Sequence, residues 1–258
     1  MEKIEQLFKI FNDKLDKFTL MADYLNVMSC YADHLDKPEF LRFETRYLQE
    51  SRIFGVSSER LFGHDQFVAE AWLLNNLFSS LFTETDGLIR DLFRDHSLSN
   101  ENEFLSTFFT TNFHNYLIIK APNEFNGYHP PATFYIKYIF KENIQKISNI
   151  EPNNNSWIEY NFIFRKLRNT FVHLSFLEGE KAKKDYWDNK TNEIDESLKR
   201  LIQAGLGYGN IQNNYKEYKN SCTKDLLIKL HTTILDFTKL LQSLLTEISN
   251  SNIEYEKY

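Results

Sequence analysis

Glycine and proline are scarce in this chain, 8 and 5 among 258 residues. Turn-rich β architectures need those residues between short strands, so their shortage favours long helices. Cysteine is scarcer still: Cys30 and Cys222 stand far apart with no metal-ligand spacing. That removes a disulfide framework and a zinc site, and a reducing cytoplasm is the expected setting. Long apolar runs are missing too. The opening MEKIEQLFKIFNDK mixes charge with apolar residues from its first turn, which predicts neither a signal peptide nor a membrane span. Positive charge is not in excess either. A net charge of -6 excludes coating of nucleic acid by bulk electrostatics and leaves only a local basic site on an acidic body. Phosphate-binding glycine loops, a nucleophile elbow and HExxH are all absent, so no cofactor and no metal is implied.

What the chain does have is apolar and aromatic bulk: 42% hydrophobic residues, with 23 Phe and 14 Tyr, enough to bury a sizeable core. Its distribution is helical. Ile4, Phe8, Phe11, Leu15, Phe18, Ala22 and Leu25 fall on one stripe, predicting an amphipathic helix over 4–25. Phe67, Ala71, Leu74, Phe78, Leu81, Leu88 and Leu92 repeat the rhythm, and Trp72, Leu73, Leu77 and Phe82 widen the face, predicting a central helix over 65–94. Residues 121–134 gather three prolines and a glycine and read as a loop, and 151–156 as the next break. Asn155 or Ser156 can cap the helix that follows. The charged stretch after 178 and GLGYGNIQNN mark a mobile or partly helical excursion over 178–222. A last helix begins near Thr223, with a seam of Leu227, Leu230, Ile234, Phe237, Leu241, Leu244 and Ile248 that suits a core-facing bundle helix better than an intermolecular coiled coil. The fold class is therefore all-α, a helical bundle formed by one domain over 1–258.

The chemistry concentrates in FRKLRNTFVHLSF, where Arg168 is followed by Asn169 and, five positions on, by His173. Spacing alone is weak, since Arg90 to His96 matches as well. Helical geometry separates the two. Tyr160, Phe164, Leu167, Phe171 and Leu174 make a core stripe; at about 100° per residue Asn169 and His173 lie opposite it, with Arg168 on its flank. Arg165 and Lys166 share the polar side, so three cations, an amide and an imidazole would seat a phosphate. Arg90, Asp91, Arg94, Asp95 and His96 read instead as helix-end charges that complement the dipole. Glu84 and Asp86 are candidate polar supports for the motif. His34, His64, His114, His129 and His231 have no partner at a catalytic or metal-binding spacing.

The segment RNTFVH resembles the R-x4-6-H motif of the HEPN superfamily, helical domains of bacterial toxins, abortive-infection proteins and CRISPR-associated ribonucleases. The resemblance extends to the polar residue after the arginine, Asn169, and to a motif helix that follows a long Phe- and Leu-rich one, covering roughly residues 65–176. One toxin subgroup carries a tyrosine two places after the histidine; here Ser175 stands there. The resemblance implies a HEPN-type bundle, with an extra excursion before the C-terminal helix, and metal-independent endoribonuclease activity in phage defence or as a toxin. It implies attack of a ribose 2′-hydroxyl on the adjacent phosphate. His173 would then act as base or acid, Arg168 would hold the phosphate, Asn169 would orient it or the imidazole, and Arg165 and Lys166 would contact RNA, tRNA included. One histidine leaves the second proton transfer unfilled, so a homodimer with the site at its interface is expected. A regulatory protein partner belongs to the same expectation. The alternative from another class is a non-catalytic helical dimerisation or interaction module.

Overall fold

The computed structural model describes residues 2–33, 40–45, 52–57, 64–98, 132–133, 136, 139–140, 143–150, 155–174, 176–203 and 222–255. Its long elements are α1 (Glu2–Asp33), α2 (His64–Leu98), α6 (Glu180–Gln203) and α7 (Lys224–Tyr255). Between them lie α3 (Ile144–Ile150) and a motif helix built in three parts: α4 (Ser156–Ile158), a π-helical segment (Glu159–Phe164) and α5 (Arg165–Leu174). The fold class is all-α. One element departs from that expectation, an antiparallel hairpin of β1 (Phe40–Thr45) and β2 (Arg52–Ser57) that pairs Phe43 with Phe54. Both strands are rich in the aromatic and β-branched residues that suit a pleated surface.

The centres of the predicted stripes are buried, whereas Trp72 and Leu73, expected to widen the face of α2, are exposed. On α1, Ile4, Phe8, Phe11 and Leu15 enter the core; on α2, Leu74, Phe78, Leu81, Leu88 and Leu92 do so. The seam of α7 from Leu227 to Leu244 also lies inside this chain's own core, which answers the coiled-coil alternative for those residues. Thr223 begins that helix, its Oγ1 accepting the Leu226 amide at 3.2 Å. Asn155 sits at the start of the motif helix, but it caps through its backbone carbonyl, which accepts from Ile158 and Glu159, and makes no side-chain cap bond.

Helices α1 and α2 pack on each other, α5 on α2, and α7 on α2 and on the π-helical segment. A run of aromatic rings joins them. Phe82 of α2 stacks on Tyr160 at 4.8 Å, Tyr160 on Phe237 of α7 at 5.0 Å, and Phe237 meets Phe140 at 5.6 Å. Glu159 adds a polar tie, accepting from Thr233 Oγ1 at 2.7 Å and pairing with Lys229 at 3.3 Å.

Most of the expected excursion is regular structure. Residues Glu180–Gln203 form a helix because Trp187, Ile194 and Leu198 recur on one narrow stripe, and Trp187 stacks on Phe171 at 5.9 Å. Its charges solvate the other faces through pairs such as Lys190–Glu193 and Lys199–Glu196. Gly179 makes the reversal before it with φ of 82°, a left-handed conformation that strains other residues. The glycine-rich part, 204–221, lies outside the described residues, as does the predicted loop over 121–134 except for the helical pair Ala132 and Thr133.

Candidate functional site

The motif helix owes its position to a widened turn. The Arg165 amide donates to the Tyr160 carbonyl, an i to i+5 bond of the π type. In an α-helix these two residues would diverge by about 140°; the π winding brings them onto one side, where both meet Asp86. The Tyr160 hydroxyl donates to Asp86 Oδ1 at 2.8 Å, and Arg165 donates to both carboxylate oxygens at 2.6 and 2.7 Å. Its guanidinium also lies over the rings of Phe82 and Tyr160. Burial, with the Asp86 charge beside it, raises the Tyr160 pKa well above the phenolic value, so it is a hydrogen-bond donor at any working pH. Burial pulls the Arg165 pKa down, but the hydrogen bonds to Asp86 together with the charges of Tyr160 and Asp86 outweigh it and the net shift is upward.

This geometry corrects the expectation of three cations open on one polar face. Arg165 is largely covered and its charge is matched by Asp86 of α2, a partner 79 positions away that the periodicity of the motif helix does not show. Lys166 is engaged too. It donates to the Glu193 carbonyl at 3.0 Å and to Ser197 Oγ, pinning α6 to the motif helix. Of the two acidic candidates, Asp86 supports the motif helix, whereas Glu84 turns away to pair with Lys14 of α1 at 2.5 Å.

Asn169 and His173 are exposed, opposite the buried stripe of Tyr160, Phe164, Leu167, Phe171 and Leu174. Arg168 is half-buried, and its Nη1 donates to Asn169 Oδ1 at 3.0 Å. The amide therefore orients the guanidinium. The imidazole, one turn beyond Asn169, has its ring 6.1 Å from that of Tyr186 on α6. Arg168 instead lines a cleft of about 320 Å³ with Phe82, Thr83, Asp86, Arg90, Ala132 and Arg165, a lining that includes neither Asn169 nor His173. Within one chain the structure thus joins Arg168 to Asn169 and leaves His173 outside the cleft that Arg168 lines.

Arg90 is the residue that linear reading missed. The sequence pattern puts it at a helix end, yet α2 runs two turns further, to Leu98, and Arg90 lines the same cleft as Arg168. The signal available in the sequence was its i+4 and i+8 spacing from Asp86 and Phe82, which puts all three on one ridge. The side chain of His96 lies outside the described residues, and so do those of His34, His64, His114 and His129. His231 sits between α1 and α7, with its Nε2 3.2 Å from Thr19 Oγ1. Among the described residues no three His, Cys, Asp or Glu side chains gather as metal ligands, and no helix is long and apolar enough to cross a membrane. No known protein family, no curated protein and no solved structure matches the chain.

Proposed function

We propose that this chain is an endoribonuclease of the HEPN type, cutting RNA without a metal ion as a homodimer, in a defence or toxin setting. The observation that carries the reading is the disposition of the motif. Arg168 is oriented by Asn169 at the mouth of a cationic cleft, and His173 is presented to solvent one turn beyond Asn169. In the reaction a ribose 2′-oxygen attacks the adjacent phosphorus and the bond to the 5′-oxygen breaks, giving a 2′,3′-cyclic phosphate and a free 5′-hydroxyl. An imidazole takes the 2′-hydroxyl proton and another group returns a proton to the 5′-oxygen. Arg168 offsets the charge that builds on the phosphate.

Two features support a site made by two chains. His173 lies outside the cleft that holds Arg168, and Phe176, just past the motif helix, is 79% exposed, an apolar anchor beside the imidazole's end of the helix. A two-fold pairing of motif helices would bring one chain's imidazole toward the other's guanidinium and supply the second proton-transfer group.

The test is cleavage of total RNA and purified tRNA in excess EDTA by the parent, Arg168→Ala and His173→Ala proteins, each with unchanged folding. Loss of cleavage in both variants supports the reading. Equal cleavage by all three assigns any activity elsewhere. The separation of Arg168 from His173 favours a second reading, a helical dimerisation module without catalysis. A dimer that cuts no RNA would put that reading first.

A further inference from the structure

The cleft between α2 and the motif helix is built as two facing ridges. Phe82, Asp86 and Arg90 recur every four residues on α2; Arg165 and Arg168 follow one another by one turn on α5. The two helices run antiparallel, Phe82 meeting Tyr160 and Phe78 meeting Phe171. Asp86 and Arg165 are joined across the cleft by two hydrogen bonds, and Arg90, one turn beyond Asp86, and Arg168, one turn beyond Arg165, flank that pair on its two sides, two cations lining one cavity. The one carboxylate of the lining is taken up by Arg165, and two further like charges in one cavity favour an anion there. Three guanidinium groups and one carboxylate give the lining two net positive charges, on a protein whose net charge is -6.

Neither cation is spent elsewhere among the described residues. Arg90 is exposed, and only its Nε is engaged, donating to the Asp86 carbonyl at 3.3 Å, which tethers the stem and leaves the terminal nitrogens to the cleft. Arg168 Nε is buried with no hydrogen-bond partner among the described residues, a donor whose desolvation nothing described offsets. The cavity, about 320 Å³, falls at the small end of the range for ligand sites. Paired forks of planar donors suit the oxygens of a phosphate.

We propose that this cleft seats a backbone phosphate of single-stranded RNA, with Arg90 as a second phosphate-binding residue beside Arg168. The proposal rests on the ribonuclease reading for the identity of its ligand and adds a residue from a different helix to that site. Arg90 holds the strand and takes no proton.

The test separates binding from cleavage. A fluorescent, single-stranded 2′-O-methyl RNA has no free 2′-hydroxyl and cannot be cut, so its affinity for the full chain is read by anisotropy over a range of salt. Each phosphate contact on a single strand contributes about 0.7 to the slope of log affinity against log salt. Arg90→Gln is expected to lower that slope by about 0.7 and to weaken binding about tenfold at low salt. Arg90→Lys should keep most of the slope, and Lys199→Gln on α6 should leave it unchanged. An unchanged slope in Arg90→Gln, or no binding by the parent, overturns the proposal. If unmodified RNA is still cut in a His173-dependent way while Arg90→Gln binds like the parent, the ribonuclease reading stands without this site. If the parent cuts nothing yet loses binding with Arg90→Gln, the phosphate seat stands without the catalysis.

Discussion

Replacing Asp86 by alanine should cost more stability than any surface ion pair in this chain. Asp86 accepts three hydrogen bonds, two from Arg165 and one from Tyr160, all between 2.6 and 2.8 Å. Removing one partner of a buried pair costs about 3–5 kcal/mol. The two side chains keep 18% and 23% of their exposure, so water can recover part of the stranded guanidinium's solvation, bringing that contribution to about 2 kcal/mol. The Tyr160 hydroxyl is fully buried and loses its acceptor, adding about 1–2 kcal/mol. The sum is about 3–4 kcal/mol, readable as a fall in unfolding free energy in urea followed by circular dichroism, or as a drop of roughly 10 °C in Tm. The double variant Asp86→Leu, Arg165→Met should recover at least half of the loss, because apolar groups of similar volume replace a buried pair at little cost. A loss below about 1 kcal/mol in Asp86→Ala, the scale of an exposed pair, would refute the reasoning.

Phe237→Ala should cost about 3–5 kcal/mol, since it removes the ring that joins Tyr160 to Phe140 in the centre of the core; a cost near 1 kcal/mol in the same urea assay would contradict that position. Cys222 is buried and burial pushes its thiol far above the usual range, so the folded protein should resist alkylation until denaturant is added. Rapid labelling of Cys222 in the native protein would show that its site opens. His231 titrates below the ordinary imidazole value because burial disfavours the charged ring, against a smaller opposing pull from Asp16. Its contribution is therefore complete above the unfolded-state value of about 6.5, and is lost as pH falls toward the folded-state value, because the unfolded chain takes up the proton first. His231→Gln should flatten that part of the stability curve; an unaltered slope would exclude the residue.

Features that depend on local period were legible in the sequence. The stripes of α1, α2 and α7 follow from residues three and four apart, and the exposure of Asn169 and His173 follows from the same arithmetic. Failures came where one long-range partner or one irregular turn decides. Periodicity puts Arg165 on the polar side of its helix but cannot show Asp86, 79 positions away, which covers it, and the π segment that brings Tyr160 to the same carboxylate has no signature that periodicity can read. Helix α6 was hidden because three apolar residues among many charges look like a solvated excursion until Phe171 is there to stack on Trp187. The hairpin was missed because its two strands are recognised by pairing with each other across a six-residue connection. Arg90 was discounted for a similar reason: its companion, Arg168, is 78 positions away and belongs to another helix.

The π-helical segment gives the motif a phase as well as a place. Successive α-helical residues are separated by about 100° around the axis, so winding this segment as plain α-helix at its present length would turn everything downstream through about that angle relative to Tyr160. Either Tyr160 or Arg165 could then reach Asp86, but not both. Arg168, Asn169 and His173 would swing with Arg165, carrying the guanidinium out of the cleft while every side chain of the motif remained intact. A chain shortened by one residue at Phe162 would instead run as plain α-helix with Tyr160 and Arg165 four apart, about 40° around the axis, and the motif would keep its orientation: the wide turn stores one residue, and the site is blind to its loss but not to its rewinding.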